Sequence, residues 1–299
     1  SGGAKIDETH NTETYYGKEN EIYGLTFSLQ AMIPTNQTKN AENNHFKEYL
    51  AEYTDYEYYI IDIIDKGFDL YKDENGKIAV TAKDEDGKPL EIDFSVEEIN
   101  LTEANKSEFK LDDITSYAGK KVFKIAMRDL KTEVTNGKLN PGDIVTFEYK
   151  AKLNGNHNVG DVPNINEAYL IYSDNPHDST SKSRTTENKT YTYSIDLELS
   201  KIAELKSQDD ERTTLSNAIF EIYNDEKVKI ATLTCGDEGD IKGYAKYTSL
   251  AAGKYYIKEY KAPDGYNKLN EEIELTIESA MENDTIKWNV SIKKTPEVN

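Results

Sequence analysis

The sequence is poor in cysteine, in long apolar runs and in positive charge. Its 299 residues include one cysteine, Cys235, so no disulfide can form within the chain. No apolar stretch approaches the roughly 20 residues that cross a bilayer as a helix, so membrane insertion of this chain is not expected. Lysine and arginine number 36 against 56 aspartate and glutamate, a net charge of −20, which disfavours nucleic acid and anionic membranes as partners.

The usual signatures of catalytic and metal sites are also missing. No glycine-rich phosphate loop and no serine nucleophile elbow occurs, and Cys235 follows a strand pattern without a nearby base, which indicates a small structural residue. Two acidic turns, 73–76 and 84–87, lack the ligand spacing of an EF-hand loop and predict hairpins instead. We therefore expect no enzyme acting on an external substrate, no metal and no cofactor. The histidines lie in polar stretches without ligand spacing: His10, His45, His157 and His177.

What the chain does contain is tyrosine and alternating patterns. It has 22 Tyr against 8 Phe and 1 Trp, and tyrosine favours half-exposed sheet faces. Many short alternating segments separated by turns predict an all-β protein of two tandem immunoglobulin-like β-sandwich domains. Short helices are expected at 45–53 and 127–134, and Pro34 is expected to end the first strand. A long polar connection at 173–189 places the boundary near Tyr191, which gives domains 1–190 and 191–299.

Two acidic residues interrupt patterns that predict buried strands. Asp62 lies in the apolar run Tyr58–Ile64, and Glu259 shares a strand face with Tyr255 and Ile257. A buried carboxylate without a partner is costly, so each acid is expected to be neutral or paired. The alternatives are an Asp62 at the rim of a sheet and a Glu259 on the wet face of an edge strand.

The second region resembles the collagen-adhesin B-type, or SpaA-like, domains of Gram-positive surface proteins and pilins. The resemblance rests on Leu250–Tyr266, similar to the family box L-x-x-G-x-Y-x-x-x-E-x-x-A-P-x-G-Y, and on Leu197–Lys201 followed by Leu215–Tyr223. It implies that Lys201 is the nucleophile of a spontaneous Lys–Asn isopeptide bond and that Glu259 assists it.

The asparagine acceptor of that second bond is less well matched. Asn289 lies in the last strand, where the resemblance places the acceptor, but it is out of phase with Trp288 and Val290. A β-bulge would correct the phase. Alternatively the domain has lost its bond, and Lys201 forms an ordinary salt bridge with Glu259.

The first region is similar to the fimbrial isopeptide-forming domain of pilin backbone subunits. The similarity rests on Tyr58–Phe68, Asn140–Gly142 and Asn166–Pro176. It implies that Asp62 is the catalytic acid and Asn166 the acceptor of an isopeptide bond. The donor lysine is expected on the first strand, where Lys5 is preferred to Lys18.

Together the two resemblances imply a structural subunit of a Gram-positive pilus shaft, stabilised by autocatalytic isopeptide bonds and supporting adhesion. Its partners would be neighbouring pilin subunits joined by sortase, outside the cell on the pilus or cell wall. The alternative is a cell-wall-anchored adhesin, or a tip or basal pilin, that binds a host protein or glycan directly. The chain has no Tyr-Pro-Lys acceptor motif for sortase, and the opening Ser1–Gly3 indicates a cloning remnant on a trimmed piece of a longer exported protein.

Overall fold

The computed structural model forms two compact units whose regular structure is mainly β-strand, which confirms the predicted all-β fold. One unit comprises residues 1–157 and 164–192, and the other comprises residues 158–163 and 193–299. The sequence placed the boundary near Tyr191 and did not anticipate that 158–163 belongs with the second unit. The structure describes residues 3–11, 15–16, 22–23, 25–35, 46–203, 213–238, 241–283 and 285–296.

The first unit is a sandwich of two sheets. One has the strand order β1-β4-β10-β6, with β7 also pairing with β10, and the other has the order β12-β11-β5-β9-β8, with β13 also pairing with β11. The strands are β1 (Gly3–Asn11), β2 (Tyr15–Tyr16), β3 (Ile22–Tyr23), β4 (Leu25–Thr35), β5 (Tyr58–Ile64), β6 (Phe68–Leu70), β7 (Val80–Lys83), β8 (Phe94–Ile99), β9 (Lys121–Met127), β10 (Ile144–Leu153), β11 (Asn164–Ser173), β12 (Lys182–Arg184) and β13 (Asn188–Thr192).

The second sheet of this unit is covered on both faces, and this explains the apolar sequence of its central strand. Every residue of β5 is buried. One face of β5 packs against the first sheet, and the other packs under the connection between β8 and β9, where Phe109 and Leu111 are buried. That connection contains two short 3-10 turns, Lys106–Phe109 and Thr115–Tyr117.

The described helices are short, as the sequence predicts. They are α1 (Phe46–Ala51) and α2 (Leu130–Thr135), and Asp129 caps the start of α2 by accepting a hydrogen bond from the Thr132 amide. Two expectations about strands were wrong. Pro34 lies inside β4. The residue pairing between β4 and β10 ends at Met32, so a backbone N–H at position 34 is not needed to donate a hydrogen bond to β10. The polar stretch 173–189 is not one loop, since it contains β12.

The second unit is also a sandwich of two sheets. The smaller sheet has the order β14-β18-β17, the larger has the order β16-β15-β19-β20-β21, and apolar side chains from both meet in one core. Along β20 and β21 the pairing runs without a register shift from the first pair to the last. The strands are β14 (Ile195–Ser200), β15 (Ile219–Tyr223), β16 (Lys229–Thr234), β17 (Gly236–Glu238), β18 (Ile241–Leu250), β19 (Gly253–Lys261), β20 (Glu271–Glu282) and β21 (Thr285–Pro296).

Candidate functional site

The carboxyl group of Asp62 lies in the core of the first unit. Asp62 is 0% exposed, and its neighbours in register are Phe123 on β9 and Ala168 on β11. In the described part of the chain, neither carboxyl oxygen has a well-aligned hydrogen-bond partner. Burial raises the pKa of Asp62 to about 8, although the hydroxyl of Tyr149 acts in the opposite direction. The folded chain therefore favours a neutral, proton-carrying Asp62 at neutral pH.

The side chain of Asn166 is buried on the neighbouring strand. It is 0% exposed, and its Oδ1 accepts a hydrogen bond of 3.1 Å from the backbone amide of Asp65. Its Nδ2 has no hydrogen-bond partner among the residues that the structure describes. The carboxamide is thus hydrogen-bonded through its oxygen and not, among the described residues, through its nitrogen. In the expected reaction this nitrogen is the group that an amine replaces.

The sheet register brings Asp62 and Asn166 onto the same interior face. Asp62 pairs with Ala168, and residues two apart on a strand share a face, so Asn166 points to the same side. Such diagonal neighbours on adjacent strands lie about 7–8 Å apart at their backbones, within reach of a side-chain contact. The structure therefore places the predicted acid and the predicted acceptor in one buried layer.

The expected donor, Lys5, is located only by its backbone. Lys5 lies on β1 opposite Met32 of β4, at a register irregularity, and β1 also lies close to β11. The Lys5 side chain and the whole of Lys18 lie outside the described residues. The backbone thus puts the expected donor strand beside the strand of Asn166.

In the second unit the structure brings Lys201 and Glu259 together. Lys201 follows β14 directly, and its Nζ lies 2.7 Å from Oε2 of Glu259. The same oxygen accepts a hydrogen bond of 2.7 Å from the amide of Leu269, whereas Oε1 has no partner in the described segments. The Glu259 side chain is 0% exposed and that of Lys201 is 15% exposed. This geometry is a buried ion pair at the edge of the core.

Asn289 does not join this pair. It is exposed on β21, and its Nδ2 donates a 3.0 Å hydrogen bond to Glu278 on β20. The β-bulge that would have turned it inward is absent from the described pairing of these two strands, so Trp288 keeps the phase that contacts the core. Lys201 and Glu259 form the salt-bridge contact that the sequence named in the alternative, and Asn289 lies outside this contact.

Sequence reasoning missed three groups that contact these sites. Tyr149 reaches Asp62 from the opposite sheet, and the backbone amides of Asp65 and Leu269 donate to Asn166 and Glu259. Backbone donors leave no trace in residue identity, so no sequence signal could have identified them. Cys235 is also buried near the Lys201–Glu259 pair, and burial raises the pKa of its thiol, which is consistent with a structural residue.

Within the described ranges, no group of three or more His, Cys, Asp or Glu side chains is arranged to hold a metal ion. The two six-residue helices, α1 and α2, are too short to span a bilayer, and no other described helix could do so.

Comparison with known proteins gives matches to one domain family and to several pilins. Residues 201–294 match the family model for the SpaA prealbumin-like fold domain. The trypsin-resistant surface T6 protein of Streptococcus pyogenes is 33% identical over 144 residues, which cover 44% of this chain and 25% of that protein. The chain thus spans only a quarter of this relative.

Solved structures agree on the fold. The T6 backbone pilin of Streptococcus pyogenes superposes with a TM-score of 0.51 at 21% identity, over 91% of this chain and 51% of that chain. A C-terminal fragment of the major pilin GBS80 of Streptococcus agalactiae gives 0.56 at 16% identity, over 92% and 91% of the two chains. The major pilin SpaA of Corynebacterium diphtheriae, whose structure is reported to point to stabilising isopeptide bonds, gives 0.51 at 12% identity, over 96% and 67%.

Proposed function

Because residues 201–294 match the SpaA prealbumin-like domain and the chain is similar to Gram-positive pilins, we propose that it is a structural subunit of a Gram-positive pilus shaft and that its first domain closes its own isopeptide bond. The bond joins Lys5 to Asn166, and Asp62 is the acid that assists it. The chain acts on itself once and is not an enzyme for an external substrate.

The chemistry uses groups that burial has prepared. A lysine amine that enters the apolar layer is desolvated, which favours its neutral, nucleophilic form. The amine nitrogen adds to Cγ of Asn166, Asp62 gives its proton to the leaving Nδ2, and the attacking nitrogen gives a proton back to Asp62. One C–N bond forms, one C–N bond breaks, and ammonia leaves without any oxidant or reductant.

One observation carries this proposal: Asp62 and Asn166 lie fully buried on one interior face of adjacent strands, and neither the acid nor the amide nitrogen is satisfied by the described residues. A core does not ordinarily retain a carboxyl group without a strong partner, because burying it costs several kcal/mol. An isopeptide bond in this layer gives the acid a neutral amide to bind and removes the unsatisfied nitrogen.

For the second domain we propose that Lys201 and Glu259 act as a buried ion pair and that no bond to Asn289 forms. The distance of 2.7 Å, the complete burial of the Glu259 side chain and the 15% exposure of the Lys201 side chain support the pair. The exposure of Asn289 and its hydrogen bond to Glu278 argue against its serving as the acceptor. The second domain then retains the family motif without its cross-link.

The same proposal includes the setting of the protein. Its partners are neighbouring pilin subunits, joined by sortase outside the cell on the pilus or cell wall, as expected for a shaft subunit. A bond between the first strand and a late strand of the first domain would carry tension past the intervening core. It also restricts the unfolded chain, by about 5 kcal/mol if estimates for disulfides that close long loops transfer.

Intact-mass measurement tests the proposal directly, because each isopeptide bond releases one ammonia. We expect the chain to be one ammonia lighter than its sequence, with a tryptic cross-linked peptide that contains Asn166. The Asp62→Ala variant should show the full sequence mass although both partners remain. A mass deficit in that variant, or no deficit in the parent, would contradict the proposed bond.

Two matched variants identify the donor. Lys5→Ala should restore the full sequence mass, whereas Lys18→Ala should still lose one ammonia. The opposite pattern would move the donor to Lys18 and leave the acid and acceptor in place. A deficit of two ammonias, with Asn289 in a cross-linked peptide, would refute the ion-pair assignment in the second domain.

A further inference from the structure

The backbone amide of Asp65 is the group that fixes the orientation of Asn166. It donates a 3.1 Å hydrogen bond to the side-chain oxygen in a fully enclosed position. An N–H group can donate only to an oxygen here, so this contact settles which end of the carboxamide is Oδ1 and which is Nδ2. The nitrogen is buried and has no hydrogen-bond partner among the described residues.

The amide of Asp65 is itself held rigidly. Asp65 follows the last residue of β5, and its Oδ1 accepts a 2.9 Å hydrogen bond from the amide of Gly67. The next residue, Phe68, donates its amide to the Asp65 carbonyl at 3.1 Å. Gly67 packs so closely that an added Cβ would lie 2.5 Å from Oδ1 of Asn164. These contacts fix the turn, so its first N–H cannot easily reorient.

We propose that the Asp65 N–H is a second catalytic group of isopeptide formation, which stabilises the negative charge that develops on Oδ1 of Asn166. This inference rests on the proposed function. When the lysine nitrogen bonds to Cγ, the electrons of the C–O double bond move onto Oδ1, and the Asp65 N–H donates to them. Asp62 moves protons, whereas Asp65 stabilises charge on the oxygen. When the intermediate collapses, the C–O double bond re-forms and Nδ2 leaves as ammonia.

The arrangement differs from that of an asparagine buried only for structure. Such a residue is expected to satisfy both ends of its carboxamide, because a buried polar group without a hydrogen bond destabilises the fold. Here the end that gains charge during the reaction is bonded, and the described residues leave the departing nitrogen free. A preorganised donor aimed at such an oxygen typically contributes about 100-fold to 1,000-fold in rate.

The test replaces the Asp65 amide with an ester and leaves the side chain unchanged. Incorporating the α-hydroxy analogue of aspartate at position 65 during cell-free synthesis removes the N–H donor and weakens the preceding carbonyl as an acceptor. Ammonia loss is followed by intact mass against time after synthesis. We expect bond formation about 100-fold slower than in the parent chain, with an unchanged pH midpoint, because Asp62 still sets the proton transfer.

A matched control is available in an exposed turn. The amide of Asp84 donates to the Lys88 carbonyl at 2.9 Å, so the same ester substitution there removes one backbone hydrogen bond outside the core. It should leave the rate of ammonia loss unchanged. Protection of the β5 and β11 amides from hydrogen exchange shows whether each ester chain has folded before its rate is compared.

A second set of variants applies if the ester at position 65 prevents folding. Asp65→Ala keeps the N–H but removes the acceptor for Gly67, and about tenfold slower bond formation is expected from the looser turn. Asp65→Asn keeps both groups and should restore the parent rate. Unchanged rates in the folded ester chain, or in Asp65→Ala if the ester does not fold, would overturn the role of Asp65. Absence of ammonia loss from the unmodified chain would instead refute the proposed function, and the role of Asp65 with it.

Discussion

Replacing Asp62 with asparagine should stabilise the first domain when the isopeptide bond is absent, and the gain should increase with pH. Burial raises the pKa of Asp62 from 3.8 to about 8. The folded chain therefore keeps a proton that the unfolded chain releases above about pH 4. Between these two values the folded state binds more protons, so its stability falls as pH rises.

The size of the effect follows from this pKa difference. Each pH unit between the two values costs about 1.4 kcal/mol, which gives a cost of roughly 5 kcal/mol at pH 8 and below 2 kcal/mol at pH 5. Asparagine has the same shape and carries no charge, so the Asp62→Asn variant avoids this cost. The free energy of unfolding should therefore differ between the variant and its parent by about 3–4 kcal/mol more at pH 8 than at pH 5.

The assay is hydrogen exchange in a bond-free background. Both chains carry Lys5→Ala and Lys18→Ala, and intact mass verifies that no ammonia has been lost. The hydrogen-exchange rates of peptides covering β5 are then compared between the two chains, first at pH 5 and then at pH 8. Intrinsic exchange rates cancel in this comparison, because both chains are measured at the same pH. The ratio of their rates should grow a few hundred-fold between the two pH values, since 1.4 kcal/mol corresponds to a factor of ten.

Asp55→Asn supplies the control, because Asp55 is exposed just before β5 and the same chemical change should alter stability by less than about 0.5 kcal/mol at either pH. A rate ratio for Asp62→Asn that stays constant between pH 5 and pH 8 would refute the reasoning. It would mean that the Asp62 carboxyl is either paired or reached by water.

Three further predictions concern the rest of the chain. Glu259→Ala leaves the Lys201 amine without its carboxylate partner and should destabilise the second domain by about 3–5 kcal/mol. Urea unfolding, followed by the fluorescence of the single tryptophan, measures this loss, and an unchanged unfolding midpoint would contradict the ion pair. Asn289→Ala should change the intact mass only by the substitution itself and should change stability by less than about 0.5 kcal/mol. A variant mass that is higher by one further ammonia would show that Asn289 forms a bond in the parent chain. Gly67→Ala should lower the free energy of unfolding of the first domain by about 1–3 kcal/mol, measured by hydrogen exchange. Gly155→Ala should be nearly neutral, because no atom lies close to the added Cβ, and equal effects of the two substitutions would mean that the Gly67 turn is not tightly packed.

The predicted SpaA-like domain, matched over residues 201–294, and the predicted sandwich fold are confirmed, because both depend on local patterns. Alternation and turn residues mark strands, and an acid inside an apolar run marks an unusual core position. The unusual buried positions of Asp62 and Glu259 were predicted in this way. The strand pattern also predicted correctly that Asn289 and Trp288 lie on opposite faces of the last strand. The β-bulge that would have turned Asn289 inward is not found in the described pairing.

What the sequence could not supply depends on distant pairing. The alignment of Asp62 with Ala168 joins residues more than one hundred positions apart, and register is set by the whole sheet and its turns. The donor amide of Asp65 is a backbone group that every residue except proline possesses. Its function follows only from its position opposite the side chain of Asn166.

The packing of Trp288 affects how the protein can be divided for experiments. Its indole Nε1 donates a 3.2 Å hydrogen bond to the carbonyl of Gly160, in the segment 158–163 that belongs to the second unit. A gene fragment that starts at Tyr193 would therefore encode the second domain without part of its own structure. Its only tryptophan would lose that carbonyl and meet water instead, so its fluorescence emission would shift to longer wavelength. An expression design that retains 158–163, for example through a short engineered linker to Tyr193, would keep this optical probe in its native surroundings.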